Sequence, residues 1–237
     1  MLKVFYLIWR SFSPVHGIKI ARRSLCMAVT LSEYDLPDAF LFSEGTSGII
    51  VWQPQETVIV LGQSNSVESS LCVEAVAAAA LRVTKRPSGG ETVILTPATV
   101  AFTVARQFPV PVHFRDFFRM VNSVVIDGLR EMGVTGLGSK GISDITIGNR
   151  KILGSSMRKV GDKLVYHAVI NIAEDPALFS RYLLHPRREP DYRAGRSHHE
   201  FVTSLAGEGY SFVPDEIMEM LNRRLGGLMV SRPAIVQ

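Results

Sequence analysis

Residues 144–156 read Asp-Ile-Thr-Ile-Gly-Asn-Arg-Lys-Ile-Leu-Gly-Ser-Ser. The apolar and β-branched runs on either side of Gly148-Asn149 predict a tight hairpin of strands 144–147 and 151–153, with positive φ at the Gly-Asn pair. Lys151 would begin the second strand, where a side chain is held more firmly than on a loop. Such a lysine can stabilise charge that builds between two anionic groups. Taken alone, however, it is more often a solvated strand residue.

A second glycine segment precedes this one, and residues 85–93 read Lys-Arg-Pro-Ser-Gly-Gly-Glu-Thr-Val. The Gly89-Gly90 pair lets backbone N–H groups approach an anion without an intervening Cβ. Arg86 can bind a phosphate or carboxylate through a forked contact, and Ser88 adds a hydroxyl. Alone, the segment fits a plain Gly-Gly hairpin with a surface arginine. Together, the two segments indicate a backbone cradle for an anion and a fixed lysine that acts on it.

Composition suits one globular domain with a sizeable core. The chain has 237 residues, of which 46% are hydrophobic and 20% charged. No apolar run reaches the roughly 18 residues that span a bilayer, so we expect no membrane association. Two cysteines, Cys26 and Cys72, are too few for a disulfide framework and show no metal-ligand spacing. They fit a reducing compartment.

The net charge of +4 belongs to the N-terminus. Residues 1–25 hold five of the 26 bases and no acid, which leaves 21 bases against 22 acids in the remainder. This balance argues against a nucleic-acid-binding surface. We therefore expect residues 1–26 to be a basic extension, either a leader or an upstream start before Met27, and residues 27–237 to be the functional domain. The expected location is cytoplasmic, or mitochondrial if residues 1–26 are a transit segment.

Strands and helices are predicted to mix without βαβ alternation. The predicted strands are 48–52, 57–61, 82–84, 92–95, 100–104, 144–147, 151–153 and 163–172, with the fourth and fifth forming a hairpin around Pro97. The predicted helices are 67–81, 114–132, 176–184 and 214–225, and residues 185–199 are predicted to form an ordered loop. This order favours an α+β domain with a mixed or antiparallel sheet flanked by helices.

The spacing of the two segments resembles a known family. Arg-x-Ser-Gly-Gly-x-x-Val, followed some 50–60 residues later by Asp-Ile, five residues and Lys-Ile-x-Gly-Ser, resembles the lipoate–protein ligases of the biotin/lipoate A/B ligase group. Trp52 with Val58–Gln63, and the strand Tyr166–Ile172, are also similar to family segments. The resemblance extends from about Leu36 to Leu205 and is most specific around Lys151.

The resemblance implies a fold like the catalytic domains of class II synthetases and biotin ligases. It implies that Lys151 is the catalytic lysine, contacting the acyl carboxylate and the α-phosphate of an acyl-adenylate. ATP, with Mg²⁺, would activate lipoate, and no tightly bound cofactor would be needed. A lysine of a lipoyl carrier domain would then accept the acyl group, as in a 2-oxoacid dehydrogenase E2 or a glycine cleavage H-like protein. The implied substrate- and adenylate-binding residues are Arg86, Ser88, Gly89, Gly90, Glu91, Thr92, Val93, Asp144, Gly154, Ser155 and His167.

Individual roles follow from the same resemblance. The first segment would hold the nucleotide phosphate and the lipoyl carbonyl, and His167 would line the acyl pocket. For Asp144, the hairpin position leaves two roles open: accepting hydrogen bonds from a nucleobase, or orienting Lys151.

The first segment departs from the family pattern. Glu91 replaces a third glycine, and Leu95-Thr96 and Ala98-Thr99 stand where His-Asp and Gly-Asn are usual. A glutamate beside a phosphate cradle is unfavourable unless it turns away or binds a metal, so ATP use is left open. The accessory C-terminal domain of many ligases is not recognised in the sequence. A separate small subunit could supply its role, or the compact domain could suffice alone.

Other interpretations remain. An octanoyl or lipoyl transferase would work without ATP through a cysteine thioester, but Cys72 is predicted to be buried and inert. A non-catalytic relative that binds lipoyl groups or carrier domains is also possible, given the replaced residues after Gly90. Biotin ligase is disfavoured because no Gly-Arg-Gly-Arg loop is present.

The 185–199 loop carries basic and histidine residues. His185, His198 and His199 lack carboxylates at metal-ligand spacing, so we expect a structural role and no metal site. The arginines of the same loop are typical of a solvated surface or of a contact with an acidic carrier domain. They are Arg187, Arg188, Arg193 and Arg196.

Overall fold

The computed structural model describes residues 29–109 and 112–230. The predicted extension, residues 1–26, lies outside the described residues. The strands are β1 Leu31–Ser32, β2 Gly48–Trp52, β3 Val58–Leu61, β4 Arg82–Lys85, β5 Val93–Leu95, β6 Thr99–Gln107, β7 Leu137–Lys140, β8 Asp144–Ile147, β9 Arg150–Val160 and β10 Lys163–Asn171. The helices are α1 Val67–Ser70, α2 Val73–Ala78, α3 Phe114–Glu131, α4 Pro176–Tyr182, α5 His198–Phe201 and α6 Pro214–Val230. No helix among these described residues is both long and apolar enough to cross a membrane.

The larger sheet has six antiparallel strands in the order β2-β6-β10-β9-β8-β7. Alternate residues of β6, such as Phe102, are fully buried and pack with the apolar stripes of α3 and α6 into the main core. Tyr166 of β10 is fully buried there, and its hydroxyl donates to Asn122 of α3 at 2.8 Å. The packed core on this face of the sheet therefore holds β9 and β10 in place.

The smaller sheet has the order β1-β4-β3-β5, with β1, β4 and β3 parallel and β5 antiparallel to β3. All four residues of β3 are buried, as the uninterrupted Val-Ile-Val-Leu sequence predicts for a central strand. Residues of α2 and α4 complete its core. The two sheets with flanking helices confirm the predicted α+β class.

Two predicted elements were wrong. Residues 67–81 form two short helices, because Leu71 leaves the helical path to bridge Leu183 and the Cys72 N–H donates to the Tyr182 carbonyl at 2.9 Å. Tertiary pairing here overrides the helix propensity of the alanine-rich sequence. The predicted hairpin around Pro97 is absent among the described strands, since β5 pairs with β3 while β6 pairs with β2 and β10.

The hairpin that carries Lys151 forms at the predicted place. Gly148 has a φ of +56°, whereas Asn149 does not share the left-handed conformation that the sequence predicted for it. A β-bulge between Ile145 and Thr146 shifts the register, and the second strand continues to Val160. The long helix was also predicted within a residue, since α3 ends at Glu131, shortly before Gly133 with a φ of +91°.

Candidate active site

A cavity of about 870 Å³ is bordered by residues of both sheets and of the 185–199 loop. Part of its wall is apolar and is formed by Leu36, Val60 and Leu95, which belong to one small core cluster. The side chains that pack against this cluster are Tyr34, Trp52 and Val169. The indole N–H of Trp52 is buried there without a protein acceptor. The cavity thus combines an apolar wall with the polar groups described below.

Lys151 and Asp144 form an ion pair on this cavity. Lys151 Nζ lies 2.8 Å from Asp144 Oδ1, and the two side chains are 27% and 6% exposed. The other carboxylate oxygen accepts a 2.8 Å hydrogen bond from the Tyr192 hydroxyl. The Lys151 carbonyl accepts from the Thr203 N–H at 2.9 Å, which fixes the backbone at the start of β9. The ammonium is therefore aimed by a buried carboxylate that is itself anchored.

Gly154 leaves space for the Lys151 side chain. A Cβ at Gly154 would lie 2.6 Å from Lys151 Cε and 2.7 Å from Nζ. The missing side chain lets the lysine fold along β9 toward Asp144, the residue that pairs with Gly154 in the ladder. Glycine at this position is thus required by the ion pair.

Arg86 supports the first glycine segment from inside. Its residue is 5% exposed, and its guanidinium donates to the Gly89 and Glu91 carbonyls at 2.7 Å and to the Val60 carbonyl at 3.1 Å. Burial lowers its pKa to about 10, so it stays protonated at neutral pH. The fork predicted to face an anion is directed to the protein's own carbonyls, because these buried acceptors need a donor. This geometry makes Arg86 a positioning residue of the loop.

The two glycine segments touch. The Ser156 hydroxyl of β9 donates to the Gly89 carbonyl at 2.8 Å. Gly90 has a φ of +82°, and its carbonyl would lie 1.9 Å from a Cβ at Gly62. The loop after β3, the first segment and β9 are thus held together, and the turn depends on glycine at both positions.

Ser88 and His167 connect the same loop to β10. Ser88 Oγ and His167 Nε2 are hydrogen bonded at 2.5 Å, and His167 Nδ1 lies 3.8 Å from Asp38 Oδ2. Burial, followed by the nearby Arg86 charge, lowers the pKa of His167 to about 3, so the ring is neutral at physiological pH. Asp38 accepts hydrogen bonds from Tyr34 at 2.8 Å and Thr103 at 2.7 Å. His167 and Asp38 border the cavity, whereas Ser88 does not.

Glu91, the departure from the family pattern, lies on the cavity border and is exposed. Asn65 Nδ2 lies 3.4 Å from its Oε2, and Arg86 donates to the Glu91 backbone carbonyl at 2.7 Å. Solvent therefore screens the exposed carboxylate, and Asn65 gives it a hydrogen-bond donor. This is how the glycine segment accommodates an acid.

The 185–199 loop is ordered around one carboxylate. Glu189 contacts His185 Nε2 at 2.9 Å, Arg193 Nε at 3.3 Å and the Gly195 N–H at 2.8 Å.

Tyr192, which contacts Asp144, was missed as a site residue. Its position in a Pro-Asp-Tyr-Arg stretch far from the glycine segments gave no sequence signal.

Most predicted site residues meet at the cavity. Ser88 and Gly89 are the predicted residues that do not border it, and they act through the contacts above. The predicted residues on the border are Arg86, Gly90, Glu91, Thr92, Val93, Asp144, Lys151, Gly154, Ser155 and His167.

The fold and this site define an α+β domain in which a strand lysine and a glycine loop border one cavity. A family model, the lipoyl protein ligase A/B catalytic domain, matches residues 38–226. The chain belongs to this family, which confirms the lipoate–protein ligase-like assignment made from the sequence. A comparison with curated proteins finds no match.

Solved structures share the fold at low sequence identity. A bi-partite lipoate protein ligase from Thermoplasma acidophilum superposes with a TM-score of 0.70 at 18% identity, covering 87% of this chain and 86% of that one. Lipoate-protein ligase A bound with ATP gives 0.69 at 18% identity, covering 83% of each chain. A putative lipoate protein ligase from T. acidophilum with bound lipoic acid gives 0.68 at 16% identity, covering 80% and 77%.

Proposed function

We propose that this protein attaches lipoate, or a related medium-chain acyl group, to a lysine of a carrier domain through an acyl-adenylate held by Lys151. The observation that carries the proposal is the Lys151 ammonium, aimed by Asp144, on a cavity that also has an apolar wall. The apolar wall suits an acyl chain, and the ammonium suits the carboxylate and phosphate that must react with each other.

In the first step, an oxygen of the lipoate carboxylate attacks the α-phosphorus of ATP. A P–O bond forms, the bond to the β-phosphate oxygen breaks, and pyrophosphate leaves. The two reacting groups are both anionic, so their approach is opposed by repulsion. Lys151 offsets this repulsion, and Asp144 with Gly154 keeps its ammonium in place.

In the second step, the neutral amine of the carrier lysine attacks the acyl carbonyl. A C–N bond forms, the C–O bond to AMP breaks, and the amine proton is released to solvent. Lys151 stabilises the charge that returns to the phosphate of the departing AMP. During this step the hydrogen bond between His167 and Ser88 and the hydrogen bond from Arg86 to the Gly89 carbonyl keep the glycine loop in place.

The named substrates have support from structures of the same fold. One was determined with lipoic acid and one with ATP. Mg²⁺ would enter with ATP as the Mg–ATP complex, because this cation keeps several waters and binds mainly through substrate phosphates. ATP use by this chain, despite Glu91, is part of the proposal.

The proposed partner is an acidic lipoyl carrier domain. Arg187 and Arg188 are exposed on the cavity border, which also includes the exposed apolar side chain of Leu184. A basic rim of this kind attracts an acidic partner. The T. acidophilum ligase was described with its E2 lipoyl domain and as bi-partite. A separate accessory subunit is therefore also proposed, as are the domain bounds 27–237 and a cytoplasmic location.

The test is incubation of the protein with lipoate or octanoate, Mg–ATP and an apo carrier domain, read by intact mass spectrometry. A lipoyl or octanoyl mass increase that requires ATP is expected. Transfer from an acyl-carrier thioester without ATP would instead show the transferase. Cys72 is half-buried, not fully buried as predicted, but it does not border the cavity and so gives that reading no support. No adduct under either condition would favour a binding-only relative.

A further inference from the structure

Glu91 is a carboxylate on the cavity border that forms no ion pair in the described part of the chain. Its side chain is exposed, Asn65 Nδ2 lies 3.4 Å from Oε2, and the described residues donate no hydrogen bond to Oε1. By contrast, Asp144 and Glu189 on the same border are each paired with a cation. Glu91 therefore keeps acceptor capacity that the protein itself does not use.

The segment that carries Glu91 lies on the face of β9 that also carries the Lys151 ammonium. The Ser156 hydroxyl donates to the Gly89 carbonyl, two residues before Glu91, at 2.8 Å. Residues two apart in a strand project to the same face, about 7 Å from each other. Gly154 and Ser156 are such a pair, and Lys151 Nζ lies 2.7 Å from the position of a Cβ at Gly154. The ammonium and the glycine segment therefore approach one face of β9 at neighbouring positions.

A carboxylate fixed at this place is unfavourable for phosphate binding, because it repels the anion. Its backbone cannot shift away cheaply, since the Glu91 carbonyl accepts a 2.7 Å hydrogen bond from the buried Arg86. One group of the proposed reaction does gain from a nearby carboxylate. The carrier amine becomes positively charged as it bonds to the acyl carbon, and a carboxylate can accept its proton.

We propose that Glu91 is a catalytic residue of the transfer step and accepts the proton of the attacking carrier amine. This inference rests on the proposed ligase function. As the C–N bond forms, the nitrogen becomes positive and one N–H bond breaks toward a Glu91 oxygen. The C–O bond to AMP then breaks, and the exposed carboxylic acid returns the proton to solvent. Lys151 thus acts on the anionic leaving group, and Glu91 acts on the nucleophile.

The test separates transfer from adenylate formation. Wild type and Glu91→Gln are incubated with lipoate, Mg–ATP and pyrophosphatase, and are then mixed rapidly with apo carrier domain. Mass spectrometry of quenched samples gives the single-turnover transfer rate. Glu91→Gln should lower this rate by roughly 10- to 100-fold, because a positioned base contributes about 10²- to 10⁴-fold and solvent partly replaces an exposed one.

ATP affinity should move in the other direction or not at all. Glu91→Gln removes a negative charge from the cavity border, so calorimetry should show ATP binding that is no weaker than in wild type. A purely structural role of Glu91 would instead weaken ATP binding and slow transfer together. Thermal melts of all variants show whether the fold is intact.

Asp191→Asn is the matched control. Asp191 is another exposed carboxylate of the cavity border, and it also forms no ion pair with the described residues. This variant should transfer at the wild-type rate. Glu91→Gly leaves space in place of the carboxylate, so added formate should restore part of its transfer rate and leave wild type unchanged.

An unchanged transfer rate in folded Glu91→Gln and Glu91→Gly, or an equal loss in Asp191→Asn, would overturn the role of Glu91. Weaker Mg–ATP binding by Glu91→Gln with normal transfer would also overturn it and would indicate a metal ligand. Wild-type protein that forms no acyl-adenylate would instead overturn the proposed ligase function, and the Glu91 role with it.

Discussion

Lys151 Nζ and Asp144 Oδ1 lie 2.8 Å apart across the β8–β9 hairpin. The contact is made over Gly154, and Tyr192 holds the far side of the carboxylate. One ion pair thus depends on a turn, a bulge, a missing side chain and a residue from a distant loop. This dependence lets several substitutions be predicted from geometry.

Replacing Lys151 by alanine should abolish carrier modification, with a loss of at least about 10²-fold, because the charge between carboxylate and phosphate is no longer neutralised. Mass spectrometry of the carrier measures the loss, and a thermal melt should show an intact fold. Lys159→Ala is the matched control, since Lys159 is an exposed lysine on the same strand that does not border the cavity. Full activity of Lys151→Ala would show that the mechanism is wrong.

Gly154→Ala should reduce the rate by roughly 100-fold, because a displacement of the ammonium by about 1 Å is enough for such a loss. Stability should change little, since the clashing atoms belong to the flexible end of Lys151. Initial rates with carrier and ATP measure the effect. Gly226→Ala, in α6 and with no atom within 4 Å of the added Cβ, is the control and should keep the wild-type rate. A fully active Gly154→Ala would exclude the proposed path of the lysine.

Gly62→Ala should destabilise the first glycine segment. The added Cβ would meet the Gly90 carbonyl at 1.9 Å, and a backbone atom cannot move aside cheaply. We expect a loss of about 1–3 kcal/mol in the free energy of unfolding, with weaker ATP binding. Urea unfolding measures the first and calorimetry the second. Gly89→Ala, whose Cβ meets no atom within 4 Å, should change stability by less than about 0.5 kcal/mol. Equal stability of the two variants would contradict the packing argument.

Stability should fall as the pH is lowered below about 6.5. The pKa of His167 drops from 6.5 to about 3 on folding, so in this window the unfolded chain binds a proton that the folded chain does not. The slope from one such group is at most about 1.4 kcal/mol per pH unit. His198, with a pKa of about 4, adds a slope of the same sign.

Urea unfolding at pH 7, 6, 5 and 4.5 measures this slope. His167→Gln can keep a hydrogen bond to Ser88 but cannot be protonated, so its slope should be shallower than that of wild type. His199→Gln changes an exposed histidine and should keep the wild-type slope. A slope that is identical in all three proteins would argue against a buried neutral His167.

Reversing the charge of Arg187 and Arg188 should raise the KM for the carrier domain by roughly fivefold or more and weaken the salt dependence of that KM. The affinity for ATP should not change. Arg130→Glu is the control, because Arg130 lies on α3 outside the cavity border and pairs with Asp127. Kinetics at low and high salt measure the effect. An unchanged KM at low salt would remove these arginines from the docking surface.

The local elements around Lys151 follow from residues that are close together in the sequence. The Gly-Asn turn with its flanking β-branched residues specifies the hairpin, and the apolar spacing of residues 114–132 specifies α3. Each of these signals is local, because it involves only residues within the element itself. The spacing of the two glycine segments was enough to identify the family. Ten of the predicted site residues border the cavity.

The partners of those elements depend on contacts between distant parts of the chain. Leu71 breaks the predicted helix to pair with Leu183, and β5 and β6 enter different sheets, because pairing across the fold outweighs local preference. The buried fork of Arg86, through its bond to Val60, and the Tyr192–Asp144 contact join residues far apart in the chain. Hydrogen-bond satisfaction in a buried site depends on which distant groups the fold brings together, and no local pattern encodes it.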